Sequence, residues 1–153
     1  AFSYQGQYVE AQNYAQQALL IAEDIGDREG IALTLISQVH ALHHLGQPTS
    51  ARPLLRRALS IIQQMDLVIL SLEAILCTAT QMRFAGNAET AAELIGYVQS
   101  NNTEKNPEIE LLLEAESQHV ATLLTPESFQ AAKQRCSTQS RSDIFSLIES
   151  LLS

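Results

Sequence analysis

Apolar side chains recur along this chain every three or four residues, a spacing that places them on one face of an α-helix. Leu35, Val39 and Leu42 follow this spacing, as do Leu19 and Ala22. The pattern predicts eight helices, at residues 8–25, 28–45, 48–64, 67–85, 88–101, 107–124, 127–137 and 141–152. We therefore expect an all-α fold.

Capping residues support several of these helix starts. Side-chain oxygens at such positions accept hydrogen bonds from the backbone N–H groups that the first turn leaves without partners. Asn106 and Thr125 each stand directly before a proline, which fits the first position of a helix. The predicted caps are Asp27, Asn87, Asn106, Thr125 and Ser140.

A short pattern returns along the chain with a period of forty residues. Residues 6–11, 46–51 and 86–91 each begin with Gly and end with Ala, and an apolar helix follows every time. A weaker copy at 126–131 has Pro in place of the Gly. Such a period is typical of a repeated helix–turn–helix unit. Glycine accepts the left-handed backbone of a turn between helices, so the predicted turn residues are Gly6, Gly46 and Gly86.

Stacked helix pairs predict a right-handed α–α superhelix, a solenoid of about three and a half pairs with a C-terminal capping helix. We expect one domain over residues 1–153, with units at about 1–26, 27–65, 66–105 and 106–153. Residue 1 is not Met, and residues 1–5 resemble the tail of an earlier helix. We therefore expect a fragment of a longer protein. HEAT and armadillo repeats, which also run near forty residues, are the structural alternative.

Charge and composition exclude several classes of function. Seventeen acidic against nine basic residues give a net charge of −8, which repels phosphate backbones and disfavours direct nucleic-acid binding. No apolar stretch is long enough for a membrane span, and the N-terminus lacks the pattern of a signal peptide. Cys77 and Cys136 lie far apart and are interpreted as small apolar residues in a reducing cytoplasm. These features predict a cytoplasmic location.

The motif Gly-x-Tyr-x-x-Ala, followed by Ala-Leu, resembles the tetratricopeptide repeat. Residues 25–32 are similar to the connection between repeats in the long-repeat subfamily of bacterial AfsR-like and MalT-like signalling ATPases and LuxR-type transcription factors. Residues 91–96 and 123–132 are similar to the C-terminal ending of that subfamily, although Ala88 replaces the Tyr of the third copy. The resemblance implies a non-catalytic protein-interaction or scaffold domain of a bacterial signal-transduction or transcriptional regulator.

Placing the helices in register with this repeat directs a mixed polar and apolar strip into the concave groove. We expect the groove to hold a protein or peptide partner through a few anchors. In an alternative that the resemblance also allows, it encloses a small-molecule inducer. The predicted strip consists of Leu33, Ile36, His40, His43, Glu73, Thr80, Arg83 and Glu116.

We predict neither a cofactor nor a metal site. His40 and His44 share a helix face, a spacing that metal ligands use, but the sequence offers no H-E-x-x-H motif and no third ligand. Surface or groove histidines are the simpler interpretation.

The sequence also predicts no enzyme, because it lacks a nucleophile elbow, a phosphate-binding glycine loop and a Cys/His pair. The sixth helix is rich in acid, and we interpret its carboxylates as a solvated face: Glu104, Glu108, Glu110, Glu114 and Glu116.

A first helix without its preceding partner exposes an apolar edge. A possible homodimer through the N-terminal end would cover that edge.

Overall fold

Eight α-helices account for the regular secondary structure of residues 4–153, the part of the chain that this computed structural model describes, with side chains described from residue 6. No strand occurs within these residues. The helices are α1 (Tyr4–Ile25), α2 (Arg28–His44), α3 (Pro48–Gln63), α4 (Val68–Phe84), α5 (Ala88–Asn101), α6 (Pro107–Ala121), α7 (Pro126–Arg135) and α8 (Arg141–Leu152). This confirms the all-α prediction, and the helical architecture is consistent with an α–α solenoid.

The predicted helix caps form the expected hydrogen bonds. The Asp27 carboxylate accepts from the backbone N–H of Gly30 at 3.0 Å, and the Asn106 side-chain oxygen accepts from two N–H groups in the first turn of α6. Asn87, Thr125 and Ser140 each accept from the N–H three residues further on. These bonds fix the starts of α2, α5, α6, α7 and α8.

One compact unit extends to Leu70 and contains α1, α2 and α3. Helix α2 packs against α1 on one side and α3 on the other. Leu35, Ile36 and Leu42 of α2 and Leu55 and Ile62 of α3 are fully buried. Each such side chain contributes roughly 1.5–3 kcal/mol through removal of apolar surface from water, so the α2 seam is the core of this unit.

A second compact unit covers residues 71–153. Here the neighbours along the chain are not always the neighbours in space, because α7 packs chiefly on α5 and barely touches α6. Gly96 of α5 permits this approach, since a Cβ atom there would collide with the backbone carbonyl of Lys133 in α7. Helix α8 is anchored by Ile144, Phe145 and Ile148, which are fully buried.

Gly46 and Gly86 end α2 and α4 with left-handed backbone, at φ +70° and +81°. At the first turn the N–H of Gly46 donates to the carbonyl of His43, and the N–H of the next residue donates to the carbonyl of Leu42. The same pair of bonds recurs forty residues later and satisfies carbonyls at the helix C-terminus. Gly26, in the connection between α1 and α2, has φ +69° and completes the set.

The expectation of a turn at Gly6 is wrong, because Gly6 lies inside α1. Gly46 and Gly86 each stand between the end of one helix and the start of the next. Gly6 instead follows Tyr4, the first residue of α1, so its backbone is helical. Of the predicted helical tail at 1–5, residues 1–3 lie outside the described part, and Tyr4 belongs to α1.

Candidate protein-interaction surface

The four residues predicted on α2 divide into a pair with accessible surface and a buried pair. Leu33 is 53% exposed and His40 is half-buried, whereas Ile36 is 1% and His43 is 7% exposed. Helix α2 is covered on two sides, by α1 and α3, so only a narrow strip of its surface remains open. Ile36 and His43 therefore belong to the core of this unit, and their assignment to a groove is corrected.

His44, at the end of α2, stacks on Tyr8 of α1. The two ring centroids lie 4.2 Å apart and the planes are nearly parallel, at 4°. Tyr8 is the tyrosine of the first repeat motif, so the motif residue ties the start of α1 to the end of α2. This contact occupies one face of the imidazole.

Thr80, Arg83 and Glu116 meet in one network across α4 and α6. The Glu116 carboxylate accepts from Nε of Arg83 at 2.6 Å and from the hydroxyl of Thr80 at 2.7 Å. Glu116 is only 6% exposed, so its charge is compensated by groups of this same unit. The structure thus brings three predicted residues together, but as an internal clamp, and Glu116 is not open to a partner.

Glu73, the remaining residue of the predicted strip, is half-buried on α4. It lies in the second unit together with the clamp, whereas the four α2 residues lie in the first. Leu33 and His40 are therefore the predicted residues that leave the most side-chain surface for a partner in the first unit.

An open groove of about 840 Å³ lies between α6 and α7, in a place that the sequence did not indicate. Its polar lining includes Glu110 and Glu114 of α6 and Gln99 of α5. Leu111 is 68% exposed although it is a large apolar residue. The apolar lining consists of Pro107, Leu111, Leu113, Ala121 and Phe129.

The groove exists because α7 packs on α5 and leaves one long face of α6 uncovered. Glu110, Leu111, Glu114 and Ala121 share that face, at the three- and four-residue spacing of a helix. The one sequence signal was an apolar leucine within the acidic face of α6. That leucine indicates a groove only together with Phe129, which belongs to a different helix.

Residues 1–64 match the family model of the tetratricopeptide repeat. This match supports a tetratricopeptide repeat domain over those residues, which contain α1, α2 and α3. Tetratricopeptide repeats are in general modules for protein–protein interaction. Searches of curated proteins and of solved structures each gave no match.

The tetratricopeptide match ends before the second unit, where α5, α6 and α7 depart from pairwise packing of successive helices. Leu33 and His40 therefore lie on the matched part of the chain, whereas the α6–α7 groove lies outside it. The two surfaces are distinct candidates for binding a protein.

Across the described residues, no group of three or more His, Cys, Asp or Glu side chains is arranged to hold a metal ion. No described helix is both long and apolar enough to cross a membrane.

Cys136 is buried, and its thiol donates to the Glu93 carboxylate at 3.6 Å. Burial, and then the negative charge of Glu93, raise the pKa of the Cys136 thiol to about 11. The thiol is therefore protonated at neutral pH, and protonated thiols are poor nucleophiles.

Proposed function

We propose that this chain is a non-catalytic protein-interaction domain of a bacterial signal-transduction or transcriptional regulator. The tetratricopeptide match of residues 1–64 carries the proposal, since repeats of this family generally bind proteins. The regulator context depends on residues 25–32, which resemble the connection between repeats in AfsR-like, MalT-like and LuxR-type proteins. In this role the domain holds a partner in the cytoplasm while other parts of the regulator bind ATP or DNA.

A two-hybrid screen of a bacterial genomic library, followed by calorimetry on purified pairs, tests this function. Leu33→Ser is the informative variant, because Leu33 is 53% exposed on the matched part of the chain. Leu123→Ser is its matched control, since Leu123 is 55% exposed and lies in the other unit. We expect a partner from a regulatory pathway whose affinity falls about tenfold with Leu33→Ser, the loss of one central anchor, and is unchanged by Leu123→Ser. A chain that binds none of the purified candidates would contradict the proposal.

The alternative function is a small-molecule inducer sensor that uses the predicted groove. Two of the residues that would enclose an inducer have other roles, since Ile36 is a core residue and Arg83 is paired with Glu116. Thermal-shift measurements against a metabolite library separate the two functions. A single metabolite that raises the melting temperature in a saturable manner would favour the sensor.

We also propose that α1 mediates formation of a homodimer. Tyr14, Ile21 and Ile25 are 64%, 63% and 72% exposed on one face of this helix. The residues forty positions later, Leu54, Ile61 and Met65, are half-buried. Since equivalent positions of a repeat normally pack against a neighbouring helix, a second copy of the chain would complete the same packing on α1.

Light scattering tests the homodimer. We expect a dimer at high micromolar concentration, and expect Ile21→Ser to shift it toward the monomer while Leu123→Ser does not. A wild-type monomer at that concentration would contradict this proposal and would leave the protein-interaction function unaffected.

A further inference from the structure

The groove between α6 and α7 has an uneven distribution of charge. Its α6 wall carries Glu110 and Glu114, both exposed. On the α7 side, the ammonium group of Lys133 lies 4.8 Å from the ring centroid of Phe129. Arg135, also on α7, is paired with Glu89 and Glu93 of α5. The negative potential of the groove therefore comes from α6, and the apolar surface is divided between the two helices.

The apolar part of the groove is large enough to accept side chains of a partner. Leu111 is 68% exposed and Phe129 is half-buried. The open face extends along the fifteen residues of α6, a length of about 22 Å at the rise of an α-helix. A groove of that length beside a helix suits an amphipathic helix laid along it, which is one of the recurrent modes of peptide recognition.

We propose that this groove binds an amphipathic helix of a protein partner that carries Lys or Arg beside its apolar stripe. The inference depends on the proposed protein-interaction function and names the chemistry of the partner. Leucine-like side chains of the partner lie on Leu111 and Phe129. Its cationic side chains face Glu110 and Glu114, and the Lys133 ammonium group beside Phe129 repels cations there, so one orientation is favoured.

Fluorescence anisotropy with a designed probe tests the proposal. The probe is a fluorescein-labelled peptide of about 15 residues built from Ala, Leu and Lys, long enough to match α6. Leu residues form one face of the helical peptide and Lys residues flank them. A second peptide has Glu in place of every Lys. We expect the Lys peptide to bind at least about tenfold more tightly than the Glu peptide, because like charges oppose binding of the latter.

A basic peptide also associates loosely with any chain of net charge −8, so the decisive comparison holds charge constant. Leu111→Ser removes the exposed leucine of the groove, and Leu20→Ser removes an equally exposed leucine, 67% against 68%, on α1. We expect Leu111→Ser to weaken Lys-peptide binding about tenfold, as for a central anchor, and Leu20→Ser to leave it unchanged. Circular dichroism checks that both variants are folded.

A second pair of variants tests the acidic wall of the groove. Glu114→Gln removes a charge from the groove, and its control, Glu149→Gln, removes a charge from the exposed side of α8. We expect only Glu114→Gln to weaken binding and to reduce its dependence on salt, because screening acts on the ion pairs that form.

Equal effects of Leu111→Ser and Leu20→Ser, equal affinity for the two peptides, or the lack of saturable binding would each overturn the groove proposal. Each of these results would leave the protein-interaction function of the Leu33 surface standing, so the two proposals can fail separately.

Discussion

The two compact units of this chain pack their helices differently. In the first, α1, α2 and α3 pack in chain order, and both sides of α2 are covered. In the second, α7 passes over its chain neighbour α6 and packs on α5 through Gly96. Packing in chain order leaves little of α2 open, whereas the packing of α7 on α5 leaves a whole face of α6 uncovered. The second unit, which the tetratricopeptide match does not cover, thus has a surface that the first unit lacks.

The largest expected effect comes from breaking the clamp that joins α4 and α6. Glu116→Ala leaves the Arg83 guanidinium, whose side chain is only 18% exposed, without its carboxylate. Removal of one partner from a buried pair costs about 3 kcal/mol of unfolding free energy, measurable by urea denaturation. Glu114→Ala, on the exposed face of the same helix, is the control and is expected to change stability by less than about 0.5 kcal/mol. Equal losses in both variants would mean that the clamp contributes nothing beyond a surface pair.

A smaller loss of unfolding free energy is expected from a substitution at the crossing of α5 and α7. Gly96→Ala places a Cβ against the backbone of Lys133, and backbone atoms cannot rotate away as a side chain would. We expect a loss of about 2 kcal/mol, the usual cost of overpacking, although alanine favours a helix more than glycine does. Ser100→Ala, on an exposed position near the end of α5, is the control. If Gly96→Ala were instead more stable than wild type, the close approach of α7 to α5 would be wrong.

Two glycine-to-alanine substitutions are expected to change the free energy of unfolding in opposite directions. Gly46→Ala introduces a Cβ at φ +70°, where only backbone strain acts because no atom lies nearby, and it is expected to cost about 1 kcal/mol. Gly6→Ala lies inside α1 and is expected to gain about 0.5 kcal/mol, since alanine is the better helix former. Thermal unfolding of the two variants measures both effects. Destabilisation by Gly6→Ala comparable to that of Gly46→Ala would restore the predicted turn at Gly6.

The last comparison concerns how the stability of the α5–α7 contact depends on pH. The folded chain holds the Cys136 proton up to a pKa of about 11, above the usual 9.0 of a thiol. The contribution of the protonated Cys136 thiol to stability is therefore complete below about pH 9 and is lost as the pH rises through 11. Urea denaturation at pH 8 and pH 10.5 should show a larger loss for wild type than for Cys136→Ala. The same loss in both proteins would exclude Cys136 as its source.

The amino-acid sequence predicted the helices well because their signals are local. Apolar spacing and the caps at Asp27, Asn106 and Ser140 act within a few residues, and the structure places these helices within a few residues of the predicted bounds. The predicted binding strip was less successful, since the burial of Ile36 and His43 depends on which neighbours cover α2. A repeat register gives the direction of a side chain but not the extent of the covering helices.

What the sequence by itself determined is the set of helices and the left-handed turns at Gly46 and Gly86, because periodicity, caps and glycine act through the local backbone. Tertiary structure alone decided that Glu116 is enclosed by Arg83 and Thr80. It also decided that Leu111 and Phe129 line one groove, since these residues lie on different helices. Their positions depend on the close crossing of α5 and α7, a contact between segments nearly forty residues apart that no local pattern records.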